Sequence, residues 1–322
     1  MPLSVPCRPA DASGNVAPMA KPRLLLMNGR IIPYEDARVH VLSTAMKYAA
    51  SVYEAMRAYW SESEQQLYVF RLREHLRRLE RSAKIARVPL PADLDRLEAD
   101  TREVIRANGF REDLHVRLIV FVDTDDGGLA SREPVSYVVA PIPTGRYFGA
   151  GGLHVAVSSW DRTSDNAIPP RVKAAANYQN SRLALLQAKI DGYDDAILLN
   201  SDGSVAEGPG YTLFLVRDDR PITSPVTSNI LEGVTRATLL TLFREALSVD
   251  PWEREVDRTE LYIADEAFFA GTAAEVTPIL SVDRHPIGDG AIGPLTAKVR
   301  DAYFQVVRGG ASHPDWRTPV YP

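Results

Sequence analysis

Between residues 142 and 152 the chain reads IPTGRYFGAGG, a run of proline, glycine and small residues through which neither a helix nor a paired central strand propagates. It divides 322 residues into two lengths that each suffice for one hydrophobic core, and a single core of the full length would be too large. The expected organisation is a disordered tail over 1–22, a small N-terminal domain over 23–143, a linker over 144–152 and a larger domain over 153–322.

Patterning within the two halves predicts an α/β fold with α+β character. LLLMNGRIIPY (24–34) reads as a hairpin turning at Asn28-Gly29. QLYVF (66–70), HVRLIVFV (115–122) and VSYVVAPI (135–142) read as strands. REHLRRLERSAKIARV (73–88) and DLDRLEADTREVIRANG (93–109) place apolar residues at helical spacing, the second stopping at Asn108-Gly109. Beyond the linker, LHVAVSSW (153–160) is a strand, and a helix follows Lys173 as far as Gly192. DDAILLNSDGSVAEG (194–208) reads as strand, Asp-Gly turn and returning strand. YTLFLV and PITSP pair, and helices span 233–247 and 293–309.

Composition narrows the function classes. A net charge of −5, with no isolated basic run, speaks against a nucleic-acid surface. The single cysteine, Cys7, allows neither a disulfide framework nor a thiolate cluster, and a reducing cytoplasmic setting is expected. No apolar run reaches the ~18 residues of a membrane span. The first residues, rich in Pro, Ala and Ser, carry no apolar signal core, and Met19 reads as a second possible start. The six histidines are scattered without metal-ligand spacing, and P-loop, dinucleotide-turn and serine-elbow motifs are missing.

Four pieces of chemistry remain. LEGVTRATL opens a helix at Gly233, Val234 and Thr235, where free N–H groups and the dipole favour a phosphate. AGTAAE (270–275) offers a second turn of small residues with the Thr272 hydroxyl. Lys173 lies among alanines in RVKAAANY, and a lysine shielded from water suits Schiff-base chemistry because only the neutral amine attacks an aldehyde. Glu207, set in VAEGPG, could face a pyridine nitrogen and keep it protonated. Taken singly, these are two helix caps, a surface lysine and a strand-end glutamate, as a cofactor-free binding protein would have. Their order is what such a protein does not explain.

VKAAANY, VAEGPGYTLF, LEGVTR and FFAGTAAEVTP, in that order, resemble the signature segments of the class IV (fold-type IV) pyridoxal-phosphate aminotransferases, with the branched-chain amino acid enzymes most similar in pattern. The resemblance runs from MNGRIIPYEDARVHVLS (27–43) to GPLTAKVRDAYF (293–304). It implies two α/β domains with the cofactor between them, a homodimer or higher homo-oligomer, and transfer of an amino group from an amino acid to a 2-oxo acid such as 2-oxoglutarate. By resemblance Lys173 is the Schiff-base lysine and proton carrier, Tyr178 bonds the cofactor phenolate oxygen, and Glu207 faces the ring nitrogen. Arg78, Val234, Thr235 and Thr272 would hold the phosphate, and Thr272 with Ala273 the substrate α-carboxylate.

The substrate pocket departs from that pattern. KYAASVYEAMRAY (47–59) resembles the HYGxSVFEGIR segment, which implies Tyr48, Tyr53 and Arg57 beside the substrate, with Ala55 in place of a glycine. His115 replaces a tyrosine and Thr144 a tryptophan, while Arg117 and Tyr147 are retained. Thr212 replaces an asparagine. Loss of the tryptophan implies a roomier or more polar pocket. Residues 123–134 contain no Arg-x-His pair of the D-amino acid branch, and Arg117 sets the chain apart from the (R)-amine transaminases, so an L-amino acid donor is expected. The alternatives within the fold are a D-amino acid or (R)-amine transaminase and an aminodeoxychorismate-lyase-like enzyme.

Overall fold

The computed structural model describes residues 21–322 apart from 150, 310 and 311; the expected tail falls almost wholly outside them. Asn28 and Gly29 both take positive φ, 50° and 75°, as a two-residue hairpin turn of primed type requires. They join β1 (Leu24–Met27) to β2 (Arg30–Pro33). α1 (Thr44–Tyr48) follows, with Ser43 accepting from the Met46 N–H as its N-cap. β3 (Ser51–Ser61) is the longest strand, and the pattern reading did not anticipate it. Its interior is buried nearly throughout and contains Glu54 and Arg57, so it shows no polar–apolar alternation.

β4 (Gln66–Phe70), β5 (Leu114–Val122) and β6 (Val135–Pro143) complete the first antiparallel sheet from this half of the chain. α2 (Leu72–Ala86) buries Leu72, Leu76, Leu79 and Ala83 at three- and four-residue intervals. α3 (Leu94–Asn108) is capped by Asp93 at one end and left-handed Gly109 at the other. Their apolar faces meet Met56, Leu67, Val69, Val116, Leu118 and Val120 in one core.

A second, mixed sheet holds β7 (Leu153–Val157), β8 (Asp195–Ile197), β9 (Thr212–Arg217), β10 (Arg220–Thr223), β11 (Trp252–Glu253), β12 (Glu266–Gly271) and β13 (Glu275–Val282). β14 (His285–Pro286) pairs with β13 at its side. The expected return strand near residue 205 is reduced to isolated bridges, Leu199 with Val205 and Ser204 with Asp257. α4 (Asn177–Ile190), α5 (Val234–Glu245) and α6 (Pro294–Val307) accompany this sheet. Phe214, Phe243, Phe268 and Tyr303 pack with Tyr59, Phe70 and Trp316, so this core reaches across to the first sheet.

The C-terminal residues do not stay with residues 153–309. β15 (Arg317–Pro319) pairs with β4, making the first sheet seven-stranded in the order β15-β4-β3-β5-β6-β1-β2. The expected span of 153–322 as one unit is corrected on that point: Val320 is fully buried in the first core, which draws the segment over.

The Lys173 segment also crosses between the two halves. Val172 and Ala174 are buried in the first core, Ala174 bridges Val52, and the Tyr53 N–H donates to the Lys173 carbonyl at 2.9 Å. The Lys173 N–H donates to Ser82 Oγ at 3.0 Å. Ala174 packs against the first sheet with little room for a longer side chain, whereas Ala175 is exposed and Ala176 half-buried.

Candidate active site

Strand alternation builds one wall of the cavity. Ser51, Tyr53 and Ala55 of β3 and His115, Arg117 and Ile119 of β5 share a face, paired Tyr53 with Ile119 and Ala55 with Arg117. The even-numbered residues between them, Glu54, Met56, Val116 and Leu118 among them, face α2. The second sheet closes the other side through Glu207, Thr212, Thr272 and Ala273, and the N-terminus of α5 forms an end. The cavity, open on one side, has a volume of about 530 Å³.

Lys173 is 8% exposed, and its Nζ lies 2.6 Å from the Tyr178 hydroxyl, between the rings of Tyr53 and Tyr178 at 4.8 and 5.0 Å from their centroids. Burial pushes the Tyr178 phenol up, but the Lys173 ammonium, with further hydrogen bonds and Arg78, draws it below the ordinary tyrosine value. Tyr53 moves the opposite way, raised by burial and then by Tyr178. The two rings stand 5.3 Å apart.

Arg78 reaches the cavity from α2 with its guanidinium already held. Nε and Nη2 donate to the two Glu54 oxygens at 2.7 and 2.8 Å, and Nη1 to the Glu232 carbonyl at 3.0 Å. His75, one helical turn earlier, places Nδ1 2.8 Å from the same carboxylate. Burial alone would raise the Glu54 pKa; Arg78 first and His75 second outweigh it and hold the carboxyl well below the usual range. Glu54 and His75 escaped the sequence reading. The available signal was an acidic residue in an otherwise buried segment, with His75 and Arg78 on one helix face.

Glu207 is buried at the opposite end. Arg162 Nη2 stands 2.7 Å from its Oε1, and the Leu231 N–H lies 3.2 and 3.3 Å from its two oxygens. Arg162 was also missed, because nothing in SSWDR distinguishes a buried arginine from an exposed one.

The start of α5 has no side-chain cap, so its first N–H groups remain free beside Val234 and Thr235, which both line the cavity. A Cβ on Gly233 would come within 3.2 Å of Thr212 Oγ1 and Arg236 Cβ, and one on Gly271 within 3.3 Å of the Gly210 carbonyl. Backbone therefore approaches the space closely from two turns.

Thr144, Tyr147, Thr272 and Ala273 stand on the cavity wall. Two expected positions lie off this chain's own cavity wall. Arg57 does not line the cavity: it is 2% exposed behind the wall, with Nη1 donating to the Thr144 and Gly145 carbonyls at 3.0 and 2.9 Å. Its Nη2 lies 3.8 Å from both Asp113 and Glu275, which draw the guanidinium inward. Tyr48, at the end of α1, is half exposed and away from this chain's cavity, because left-handed Ala49 turns the chain between it and β3.

Fold and cavity together define an enzyme that works with pyridoxal 5′-phosphate: the donor set offers an amine for its aldehyde, a carboxylate for its ring nitrogen and uncapped N–H groups for its phosphate. The family model for amino-transferase class IV matches residues 51–282. A probable branched-chain-amino-acid aminotransferase of Aquifex aeolicus is 40% identical, over 91% of this chain and 95% of the relative. The branched-chain aminotransferase of Thermoproteus uzoniensis, solved with norvaline, is 40% identical with a TM-score of 0.89, covering 93% of this chain and 100% of the other. That of Thermobaculum terrenum in its pyridoxal-phosphate form is 41% identical with the same TM-score, covering 94% and 99%. The chain belongs to the class IV aminotransferases. It is a pyridoxal-phosphate-dependent transaminase.

Proposed function

We propose that this transaminase moves the amino group of a branched-chain-type L-amino acid to a 2-oxo acid such as 2-oxoglutarate, in two half-reactions at the one cavity. The observation that carries the reading is Lys173 Nζ, buried and 2.6 Å from the Tyr178 hydroxyl, in the same space as Glu207 and the free end of α5. The relatives named for branched-chain substrates, and the norvaline bound in one of them, support the donor class.

The bound cofactor supplies an electrophilic aldehyde and a ring that withdraws electrons from the donor's Cα. Lys173 would hold the cofactor through Nζ and, once freed, would carry the proton from the donor's Cα to the cofactor carbon on the other side of the transferred nitrogen. Tyr178 orients that amine and offers its hydroxyl to the phenolate oxygen. Glu207 keeps the ring nitrogen charged. Arg78, Val234, Thr235 and Thr272 bind the phosphate, the arginine pre-aimed by Glu54. Thr272 and Ala273 take the α-carboxylate through backbone N–H groups, and Tyr53 closes over Lys173 to exclude water.

Arg117 lies on the cavity wall without any carboxylate in ion-pair range among the described residues, which suits a substrate's second carboxylate. Ala55, His115 and Thr144 shape the rest, and Thr144 in place of a tryptophan, beside the retained Tyr147, suits a donor larger than leucine. The enzyme acts as a homodimer or higher homo-oligomer in the cytoplasm. Val41, Leu42, Met46 and Tyr48 leave a large apolar exposure around α1, which a second copy would cover, bringing Tyr48 to the neighbouring cavity. A single cysteine in 322 residues supports the reducing compartment. Residues 144–152 are the linker between the two halves.

The test is a spectral half-reaction: purified protein carrying the cofactor receives L-leucine, L-phenylalanine, L-glutamate, D-alanine or (R)-1-phenylethylamine, and loss of visible absorbance is followed. Bleaching by L-leucine and L-glutamate is expected. Bleaching only by D-alanine or the amine would overturn the substrate assignment while leaving Lys173 and Glu207 in place. An active monomer by sizing and assay would refute the oligomer.

A further inference from the structure

The buried ion pair between Arg162 and Glu207 has a task that the binding of the cofactor does not by itself explain. Glu207 is 5% exposed, and burial pushes its carboxyl above the ordinary value. A buried carboxyl left alone picks up a proton, and a neutral acid no longer favours a charged ring nitrogen across from it. The ring withdraws electrons best when that nitrogen carries the proton.

We propose that Arg162 is the residue that keeps Glu207 an anion, and that it thereby fixes the proton on the ring nitrogen of the bound cofactor. The proposal rests on the reading of Glu207 as the ring-nitrogen partner. Arg162 Nη2 sits 2.7 Å from Glu207 Oε1, and no other carboxylate of the described residues lies within ion-pair distance of Arg162. Its charge is thus committed to one partner. The other nearby cation, Lys173, is already engaged with Tyr178 at 2.6 Å and is consumed when it holds the cofactor.

The guanidinium is also held in place. The Arg162 N–H donates to the Leu199 carbonyl at 2.7 Å and Nε to the Asn229 carbonyl at 3.1 Å. Asn229 in turn donates through Nδ2 to Asn200 Oδ1 at 2.9 Å. The guanidinium therefore cannot follow an incoming phosphate or substrate carboxylate without breaking its two contacts, to Asn229 and Glu207. Arg162 acts through Glu207 and is a positioning residue.

The balance is a single shared proton. With Arg162 present it resides on the ring nitrogen, opposite a carboxylate. Without it the proton moves to Glu207, opposite a neutral ring.

The experiment reconstitutes the full-length protein with pyridoxal 5′-phosphate labelled with ¹⁵N in the ring, and reads the nitrogen chemical shift by NMR beside the dissociation constant. Native protein is expected to show the protonated-ring shift. Arg162→Met is expected to move it toward the neutral-ring value and to weaken cofactor binding at least ~10-fold. Arg162→Lys, which keeps the charge, is expected to restore the native shift. A native shift in Arg162→Met overturns the proposal, and so does a neutral-ring shift in Arg162→Lys. Should Arg162→Met fail to fold, the lysine variant still decides by the same reading. Glu207→Gln separates the underlying assignment: if its ring nitrogen stays protonated, the partner reading of Glu207 fails, whatever Arg162 does.

Discussion

Glu54 meets Arg78 edge on, Oε1 to Nε at 2.7 Å and Oε2 to Nη2 at 2.8 Å, with Glu54 fully buried and Arg78 8% exposed at the cavity. A strand residue and a helix residue thus share one buried charge pair on the far side of the cavity wall. Removing one partner of such a pair leaves the other charge stranded. Glu54→Gln is expected to lower stability by about 3–5 kcal/mol in urea unfolding at neutral pH, and to weaken binding of the cofactor while sparing binding of non-phosphorylated pyridoxal. Because the folded pKa of Glu54 is depressed, its contribution is present above the unfolded value and is lost as acidity approaches the folded one. Acid unfolding of Glu54→Gln is accordingly expected to be less steep below pH ~4.5 than that of the native chain.

Two buried histidines give a second dependence on pH. His115 is pulled down to about 3, chiefly by burial and then by Arg117 and Arg57; His75 is lowered by burial against the opposing pull of Glu54. Both fold as neutral rings and the unfolded chain binds their protons first, so stability falls as pH drops below ~6.5. Each is expected to contribute up to ~1.4 kcal/mol per pH unit. His115→Gln should flatten that slope between pH 6.5 and 5 in denaturant midpoints, and an unchanged slope would count against a neutral His115.

Arg57 supports the cavity wall from behind by gripping the Thr144 and Gly145 carbonyls. Arg57→Lys keeps a charge but loses the planar fork. The expected result is a rise of KM for the amino donor on the order of tenfold with kcat and cofactor absorbance little changed. An equal loss in kcat would place Arg57 in contact with the reacting atoms instead.

Lys173→Ala tests the central assignment. The variant is expected to bind the cofactor without the visible band of the native protein, and to lose transamination by at least ~10²–10⁴. Retention of the band would remove Lys173 from its role.

The packing of the second half offers a test independent of chemistry. Phe214 and Phe268 are stacked with centroids 5.1 Å apart and planes 3° from parallel, both fully buried. Phe268→Ala is expected to cost ~3–5 kcal/mol in unfolding measurements.

Local features were legible in the residues themselves. The Asn28-Gly29 turn, the cap at Gly109 and the three- and four-residue spacing of α2 depend on backbone preference and periodicity, which neighbours in sequence determine. Lys173, Glu207, Thr235 and Thr272 could be selected because each sits in a short segment whose small residues signal close backbone approach, and because family likeness put the segments in order.

What the chain could not disclose is which polar side chains are buried and against whom. β3 went unread because a strand covered on both faces, with Glu54 and Arg57 inside, carries no alternation. Glu54 is useful only because α2 delivers Arg78 and His75 to it, and Arg162 only because β7 and the 199–208 segment bring it to Glu207. Arg57 and Tyr48 share one segment with Tyr53, yet the strand and its preceding turn send one behind the wall, one to the surface and one into the cavity. Sequence alone determined the helices and the turns, since those follow from short-range sterics. The tertiary structure decided the charge partners and the cavity wall, since a buried charge is tolerated only where distant elements converge to neutralise it.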